Sequence, residues 1–400
     1  MNAPGHIVVV GASLAGLRGI EALRRDGYDG AITLVGAEPH LPYDRPPLSK
    51  QVLAGSLEPD QIALRREPIE DLALDLRLGR RAISLDAKAR EIALDDGERV
   101  AWDGLLIASG ATPRRLPGAP ALEGIHVLRT LDDALAIRRA LEKGPRVLVV
   151  GAGFIGAEVA ATCRAQGHPV TVVEPLAAPM LRALGPEIAA VTAELHRDHG
   201  VDLRCGVGVE ALEGAGRVER ARLADGSVIE ADLVVIGIGV TPEVSWLEGS
   251  GLELRDGVVC DATCATSLPG VTAAGDVARW PHALFGEEMR IEHWTHAIEM
   301  GEAAARRLLA APEAAEPFAP VPYVWTDQYD RKLQMAGHIR PDDLMKIIQG
   351  SLEERRFVAI FGREGRLTGA LAMNRPAAVI RLKQRIARGD AFADVVAGAQ

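Results

Sequence analysis

Two glycine-rich turns, 140 residues apart, constrain this chain more than any other feature. The first reads His6-Ile7-Val8-Val9-Val10-Gly11-Ala12-Ser13-Leu14-Ala15-Gly16, the second Arg146-Val147-Leu148-Val149-Val150-Gly151-Ala152-Gly153-Phe154-Ile155-Gly156. Each leads an apolar strand into a helical stretch, and each is followed by a second strand with an acid near its end. Such a unit holds a dinucleotide pyrophosphate at a helix N-terminus, where free N–H groups and the helix dipole favour an anion. Two copies imply two dinucleotides brought together, the arrangement needed for electron transfer between them.

The self-similarity extends beyond the glycines. Ile7–Val10, Leu17–Arg25 and Ile32–Val35 read as strand, helix, strand, and Val147–Val150, Glu158–Gln166 and Val170–Val173 repeat the order. Alternation of this kind gives parallel sheets. A later segment, Gly270–Val277, is a short strand ending in Gly-Asp, followed by a helical stretch around Ala297–Leu309. Pro312–Pro322 reads as a linker, and Phe357–Phe361 with Leu367–Met373 as a hairpin around Gly362–Arg366. The 400 residues exceed one typical core. The expected fold is therefore α/β, with two Rossmann-like dinucleotide-binding domains, one inserted in the other, plus a small C-terminal α+β domain. The expected boundaries are 1–112 and 243–318 for the first nucleotide domain, 113–242 for the second and 319–400 for the tail.

Composition narrows the partners. A net charge of −10 argues against nucleic acid, which needs a basic surface. No run of about 18 apolar residues suggests a membrane span. The N-terminal apolar run is broken by Gly11 and Ser13 and lacks a basic leader, so no signal peptide is expected. The four cysteines, Cys163, Cys205, Cys260 and Cys264, fit no disulfide framework and offer no paired metal-ligand spacing. A cytoplasmic enzyme without a metal site is expected.

At the first turn, Gly11 permits the tight bend and Gly16 close helix–strand packing, while Leu14 and Ala15 between them are candidate contacts of the bound dinucleotide. Ser13 replaces the middle glycine and places a hydroxyl where the pyrophosphate approaches. Glu38, 27 residues after Gly11, is the candidate ribose acceptor, a longer spacing than the usual ~20. The turn by itself does not distinguish FAD from NAD. The second turn has all three glycines, Gly151, Gly153 and Gly156, with Phe154 and Ile155 between them as candidate contacts of the bound dinucleotide. Glu174 follows Gly151 by 23 residues.

The segment Asp44-Arg45-Pro46-Pro47-Leu48-Ser49-Lys50 makes the distinction. Here the chain resembles the FAD-dependent NADH:ferredoxin reductases of oxygenase systems, which share a glutathione-reductase-like fold. The resemblance implies FAD at the first turn, with Arg45 on its pyrophosphate and Lys50 near the isoalloxazine. A planar guanidinium suits a diphosphate, and an ammonium would stabilise negative charge on a reduced ring. The same resemblance implies FAD contacts from Ala82, Arg129, Gly275, Asp276, Trp294 and Trp325; core packing is the alternative for each tryptophan. Glu158, read here as lying in the first turn of its helix, is implied to face Lys50 across the nicotinamide–flavin junction, with a helix-dipole contact as the plainer alternative. Gly237 and Gly239 resemble the strand end beneath bound NAD. Glu174 would accept the adenosine ribose hydroxyls and repel a 2′-phosphate, which favours NADH over NADPH. Arg182 is the residue that could still reach a phosphate from the loop.

Hydride transfer from NADH to FAD, with Lys50 tuning it, and single-electron delivery to a [2Fe–2S] ferredoxin is the expected activity. The ferredoxin would feed a P450 or Rieske-type oxygenase. The same frame also serves rubredoxin reductases, disulfide and peroxide reductases, and apoptosis-inducing-factor-like signalling flavoproteins. The two-electron branch needs a cysteine facing the flavin, whereas none precedes Cys163. Cys260 and Cys264 read as structural. Arg375, Arg381, Lys383, Arg385 and Arg388 occur with no acid between them. Arg381, Arg385 and Arg388 share a helix face and form a candidate docking patch for an acidic ferredoxin; Arg65 and Arg66 form a second.

Overall fold

The computed structural model describes residues 4–65 and 67–398. These fall into two compact units, one of Met1–Asp44, Ile62–Thr112 and Thr241–Tyr323, the other of Arg45–Gln61, Pro113–Val240 and Val324–Gln400.

The first unit is built on a parallel sheet in the order Val271–Ala273, Gly104–Ile107, His6–Val10, Ala31–Gly36, Leu74–Leu78. Its inner strands are almost wholly apolar because a parallel sheet is covered on both faces. Ile7, Val8, Val9, Leu105, Leu106 and Ile107 are accordingly buried. Helix Leu14–Arg25 shares this core with helix Trp294–Leu309. A Cβ on Gly301 would come 2.4 Å from the Ala15 carbonyl oxygen, so only glycine permits that approach.

The second unit repeats the plan: Asp202–Cys205, Val170–Glu174, Val147–Val150, Leu233–Ile236, Ile125–Val127, all parallel. Register is conserved between the copies, Val10 lying opposite Val35 and Val150 opposite Val173. The two sheets differ in their outer strand. In the first it comes from residues 271–273, far along the chain, and in the second from residues 125–127, ahead of the motif strand.

The same second unit carries a five-stranded antiparallel sheet in the order Tyr323–Gln328, Arg331–Gly337, Arg366–Met373, Arg356–Arg363, Leu344–Ser351. The expected hairpin is present, tightened to a turn at Glu364-Gly365. Phe357, Leu371 and Met373 pack with Leu184 and Ile188 of helix Leu181–Asp198 into one core.

The expected linker is pinned down. Phe318 donates its backbone N–H to the Ala262 carbonyl at 2.7 Å and accepts the Trp280 indole N–H at 3.0 Å, and Val321 is buried. Among the described residues no helix is long and apolar enough to cross a membrane.

Candidate functional site

The two glycine turns are geometric duplicates. Gly11 has φ +128° and Gly151 φ +96°, a region costly for any residue with a Cβ. A Cβ on Gly11 would meet the Ala108 carbonyl oxygen at 2.0 Å, and one on Gly151 the Gly237 carbonyl oxygen at 2.5 Å. Each turn is tied back identically, Gly11 N–H to the Val35 carbonyl and Gly151 N–H to the Val173 carbonyl, both at 2.8 Å. Gly16 and Gly156 press on their own turns, where an added Cβ would lie 2.1 Å and 2.0 Å from the Gly11 and Gly151 oxygens.

The middle position behaves differently. A Cβ on Gly153 would meet nothing within 4 Å, and Ser13 occupies the corresponding place in the first turn. Backbone crowding therefore does not require glycine at this position. The helices' first internal bonds run from Leu17 N–H to Ser13 and from Ala157 N–H to Gly153. The amides of Leu14–Gly16 and Phe154–Gly156 thus have no acceptor within their helices, which suits an anion. Both cradles fit a dinucleotide pyrophosphate.

Within the first unit, Glu38 accepts a hydrogen bond from the Tyr43 hydroxyl. The chain passes back beside it, Gly79 N–H to the Glu38 carbonyl and Arg80 N–H to the Gly36 carbonyl, both 2.9 Å. Two residues further on lies buried Ala82. Gly275 and Asp276 sit in a single 3₁₀ turn directly after strand Val271–Ala273, and Arg290 donates to the Asp276 carbonyl at 3.1 Å. The Trp294 indole N–H donates to Asp44 at 2.7 Å. Tyr43 and Asp44, given no role of their own from sequence, thus orient two expected site residues.

Within the second unit, Glu174 is mostly buried and held by two amides, Ala152 at 2.7 Å and Leu176 at 2.9 Å. Its carboxylate is therefore anchored against the turn that contains Gly153. Arg182 is exposed in a short helical turn that follows Met180 at φ +52°, and non-helical Gly185, at φ +74°, separates this turn from the long helix that runs to Asp198. Gly237 and Gly239 follow strand Leu233–Ile236, and Gly237 abuts Gly156, where a Cβ would come within 3.4 Å.

Arg45 donates to the Arg129 carbonyl at 2.5 Å. Arg129 precedes a helix start fixed by a reciprocal Thr130–Asp133 cap. Trp325 carries the Lys332 ammonium 6.0 Å from its ring centroid. Lys50 stands on a single π-turn, Leu48–Val52, that follows Pro46-Pro47.

Glu158 corrects the sequence reading. Helix Phe154–Ala165 begins earlier than the pattern suggested, so Glu158 is in its second turn and does not serve the helix dipole. It is 4% exposed. One oxygen accepts from Ser49 Oγ at 2.5 Å and Lys50 Nζ at 2.9 Å; the other accepts from Thr326 Oγ1 at 2.8 Å and the Asp327 amide at 3.4 Å. No role for Ser49 or Thr326 follows from the sequence, although Ser49 lies in the Asp44–Lys50 segment, because an isolated hydroxyl carries no pattern.

The cysteines are all free. Burial pushes the Cys163 and Cys260 thiols up to about 12, and Cys264 well above its ordinary value, so none of the three is a ready nucleophile at neutral pH. Among the described residues no group of three or more metal-ligating side chains occurs. The basic helix Pro376–Arg388 exposes Arg381 and Arg388, but Asp390 returns onto it. Arg385 Nε lies 2.6 Å and Arg388 Nε 3.4 Å from the Asp390 carboxylate. The left-handed turn at Gly389 folds that acid back. In the second candidate patch Arg65 pairs with Glu21 at 3.1 Å; Arg66 lies outside the described residues.

Residues 5–301 match the family model of pyridine nucleotide-disulphide oxidoreductases, and residues 323–398 that of the reductase C-terminal domain. The chain is 40% identical over 332 residues to the ferredoxin–NAD(+) reductase component of the p-cumate 2,3-dioxygenase system of Pseudomonas putida, covering 83% of this chain and 81% of that protein. It is 34% identical over 395 residues to putidaredoxin reductase of Pseudomonas putida, covering 96% and 92%. The crystal structure of the covalent putidaredoxin reductase–putidaredoxin complex contains a chain similar at TM-score 0.92 and 32% identity, over 97% of this chain and 94% of that one.

Proposed function

Because the chain belongs to the pyridine nucleotide-disulphide oxidoreductase family, we propose that it oxidises NADH with FAD and passes electrons singly to a [2Fe–2S] ferredoxin serving a P450 or Rieske-type oxygenase. The observation that carries this reading is the duplicated turn, with equal register, equal tethering and the same crowded first and last glycines in both copies. The relatives named for ferredoxin reduction support the choice of acceptor.

FAD, when bound, supplies acceptance of a hydride and release of its electrons one at a time. In the first unit the amides of Leu14–Gly16 bind the pyrophosphate, with Gly11, Ser13 and Gly16 shaping the turn and Glu38 accepting from the ribose. Ala82, Gly275, Asp276 and Trp294 of the same unit are further FAD contacts. In the second unit Arg45, backed by Arg129, gives diphosphate charge compensation, and Trp325 offers an aromatic face. The amides of Phe154–Gly156 bind the pyrophosphate of NADH, and Gly237 and Gly239 allow close approach. Glu174 accepts the ribose hydroxyls and repels a 2′-phosphate, hence NADH over NADPH; Arg182, exposed to solvent, is the residue that could still reach a phosphate. Lys50 supplies positive charge, with Glu158 holding it.

Ferredoxin docks on the basic helix through Arg381 chiefly, since Asp390 offsets Arg385 and Arg388. Four unpaired cysteines suit the cytoplasm, where thiols stay reduced. The test is cytochrome c reduction by NADH with and without added [2Fe–2S] ferredoxin. Strong ferredoxin dependence is expected; rapid disulfide or peroxide reduction without it would place the protein in the two-electron branch.

A further inference from the structure

We propose that Ser49 and Thr326 are positioning residues that saturate the Glu158 carboxylate, so that it holds Lys50 by one N–H and leaves the other two to an acceptor. The proposal rests on the flavin reading above and assigns that site two residues with no part in it so far.

A buried carboxylate is costly unless its lone pairs are used. Glu158 has about four acceptor positions, and four donors reach it. Ser49 and Lys50 take one oxygen, Thr326 and the Asp327 amide the other. With the second oxygen occupied, Lys50 cannot bridge both oxygens and make a two-pronged pair. Its ammonium keeps two of three donors unspent, since Glu158 is its sole partner among the described residues. The Lys50 side chain is only 14% exposed. A largely buried cation with unspent hydrogens points to an electron-rich group from outside the protein.

Ser49 is itself clamped twice by one helix. Its hydroxyl donates to Glu158, and its carbonyl accepts from Thr162 Oγ1 at 2.8 Å. Glu158 and Thr162 are four residues apart, hence on one helix face. Together they fix the π-turn on which Lys50 stands. Thr326 supplies the opposite restraint from strand Tyr323–Gln328, where it is fully buried. The three segments that meet here are far apart in sequence, and the two hydroxyls, one on each oxygen, make the shortest of the four bonds that fix the carboxylate.

The experiment uses the full chain loaded with FAD, as wild type, Thr326→Val, Thr326→Ser and Ser49→Ala. Flavin content is read from absorbance, the midpoint potential by equilibration with a reference dye, and reduction by NADH in anaerobic stopped flow. For Thr326→Val, full flavin content, an unchanged NADH dissociation constant, a shifted midpoint potential and an about tenfold slower reduction step are expected, the scale of one charge-assisted hydrogen bond. Thr326→Ser should restore both potential and rate. Ser49→Ala should shift the potential in the same direction, which keeps the test open if the valine variant fails to fold. Wild-type potential and rate in a flavin-loaded Thr326→Val or Ser49→Ala protein would overturn the proposal, as would a serine variant no better than valine. Failure of the wild type to bind FAD would instead defeat the flavin reading.

Discussion

The Lys50 ammonium lies 2.9 Å from Glu158, across 108 residues of sequence, and both side chains are nearly buried. A preorganised charge of this kind acts where negative charge develops, without reorganising at the moment of reaction. Lys50→Ala should keep FAD yet slow flavin reduction by about tenfold to a hundredfold. Glu158 retains three other donors, so the stability cost should stay near about 1–3 kcal/mol. Stopped-flow reduction at the wild-type rate would remove Lys50 from the chemistry.

Glu174 is expected to choose between the two nicotinamide coenzymes. Its carboxylate is fixed by the Ala152 and Leu176 amides, so it cannot swing away from a 2′-phosphate. Glu174→Arg should move the NADPH:NADH ratio of kcat/KM upward by about tenfold or more, about 1.4 kcal/mol per decade. An unmoved ratio would mean that selectivity lies elsewhere.

The glycines divide into two classes with different expected phenotypes. Gly11→Ala and Gly151→Ala put a Cβ against backbone oxygen at 2.0 Å and 2.5 Å and should cost about 2–4 kcal/mol or prevent folding. Gly153→Ser meets open space. It should unfold at the wild-type temperature yet bind NADH more weakly. Calorimetry with and without NADH separates the classes, and equal unfolding temperatures for Gly151→Ala and wild type would contradict the assignment.

Two buried histidines set a stability window in acid. His196 bonds to the Tyr329 hydroxyl at 3.0 Å and the Gln328 side chain at 3.1 Å, and His296 stacks on Trp280 at 4.7 Å. Burial lowers His196 to about 4 and His296 to about 3. An unfolded histidine takes up its proton near 6.5, so between there and 4 the unfolded chain binds more protons. Stability is therefore unaffected above about pH 6.5 and falls below it, by at most roughly 1.4 kcal/mol per pH unit per histidine. Urea midpoints equal at pH 7.5 and pH 5 would show that neither ring stays neutral in the fold.

The glycine turns and Glu174 were legible in sequence because their geometry is local. Gly11 is tied to Val35, Gly16 presses on Gly11, and Glu174 is held by Ala152 and Leu176, each within one βαβ unit. The position of Glu158 was displaced by a turn, since the small residues Gly156 and Ala157 hide the start of a helix whose first turn carries no cap signal. The contacts of Ser49, Thr326 and Asp44 were invisible for a different reason. Their partners stand 109, 168 and 250 residues away, and no periodicity reports such distances. The basic helix was overread because Asp390 lies beyond the segment, and only the left-handed Gly389 returns it.

One measurement bears most directly on the central claim. The FAD-loaded protein is reduced anaerobically with one equivalent of NADH and mixed with excess oxidised [2Fe–2S] ferredoxin, while both chromophores are followed. The expected result is two ferredoxins reduced for each flavin reoxidised. A flavin that stays reduced beside oxidised ferredoxin, yet is discharged at once by a disulfide or peroxide, would contradict it.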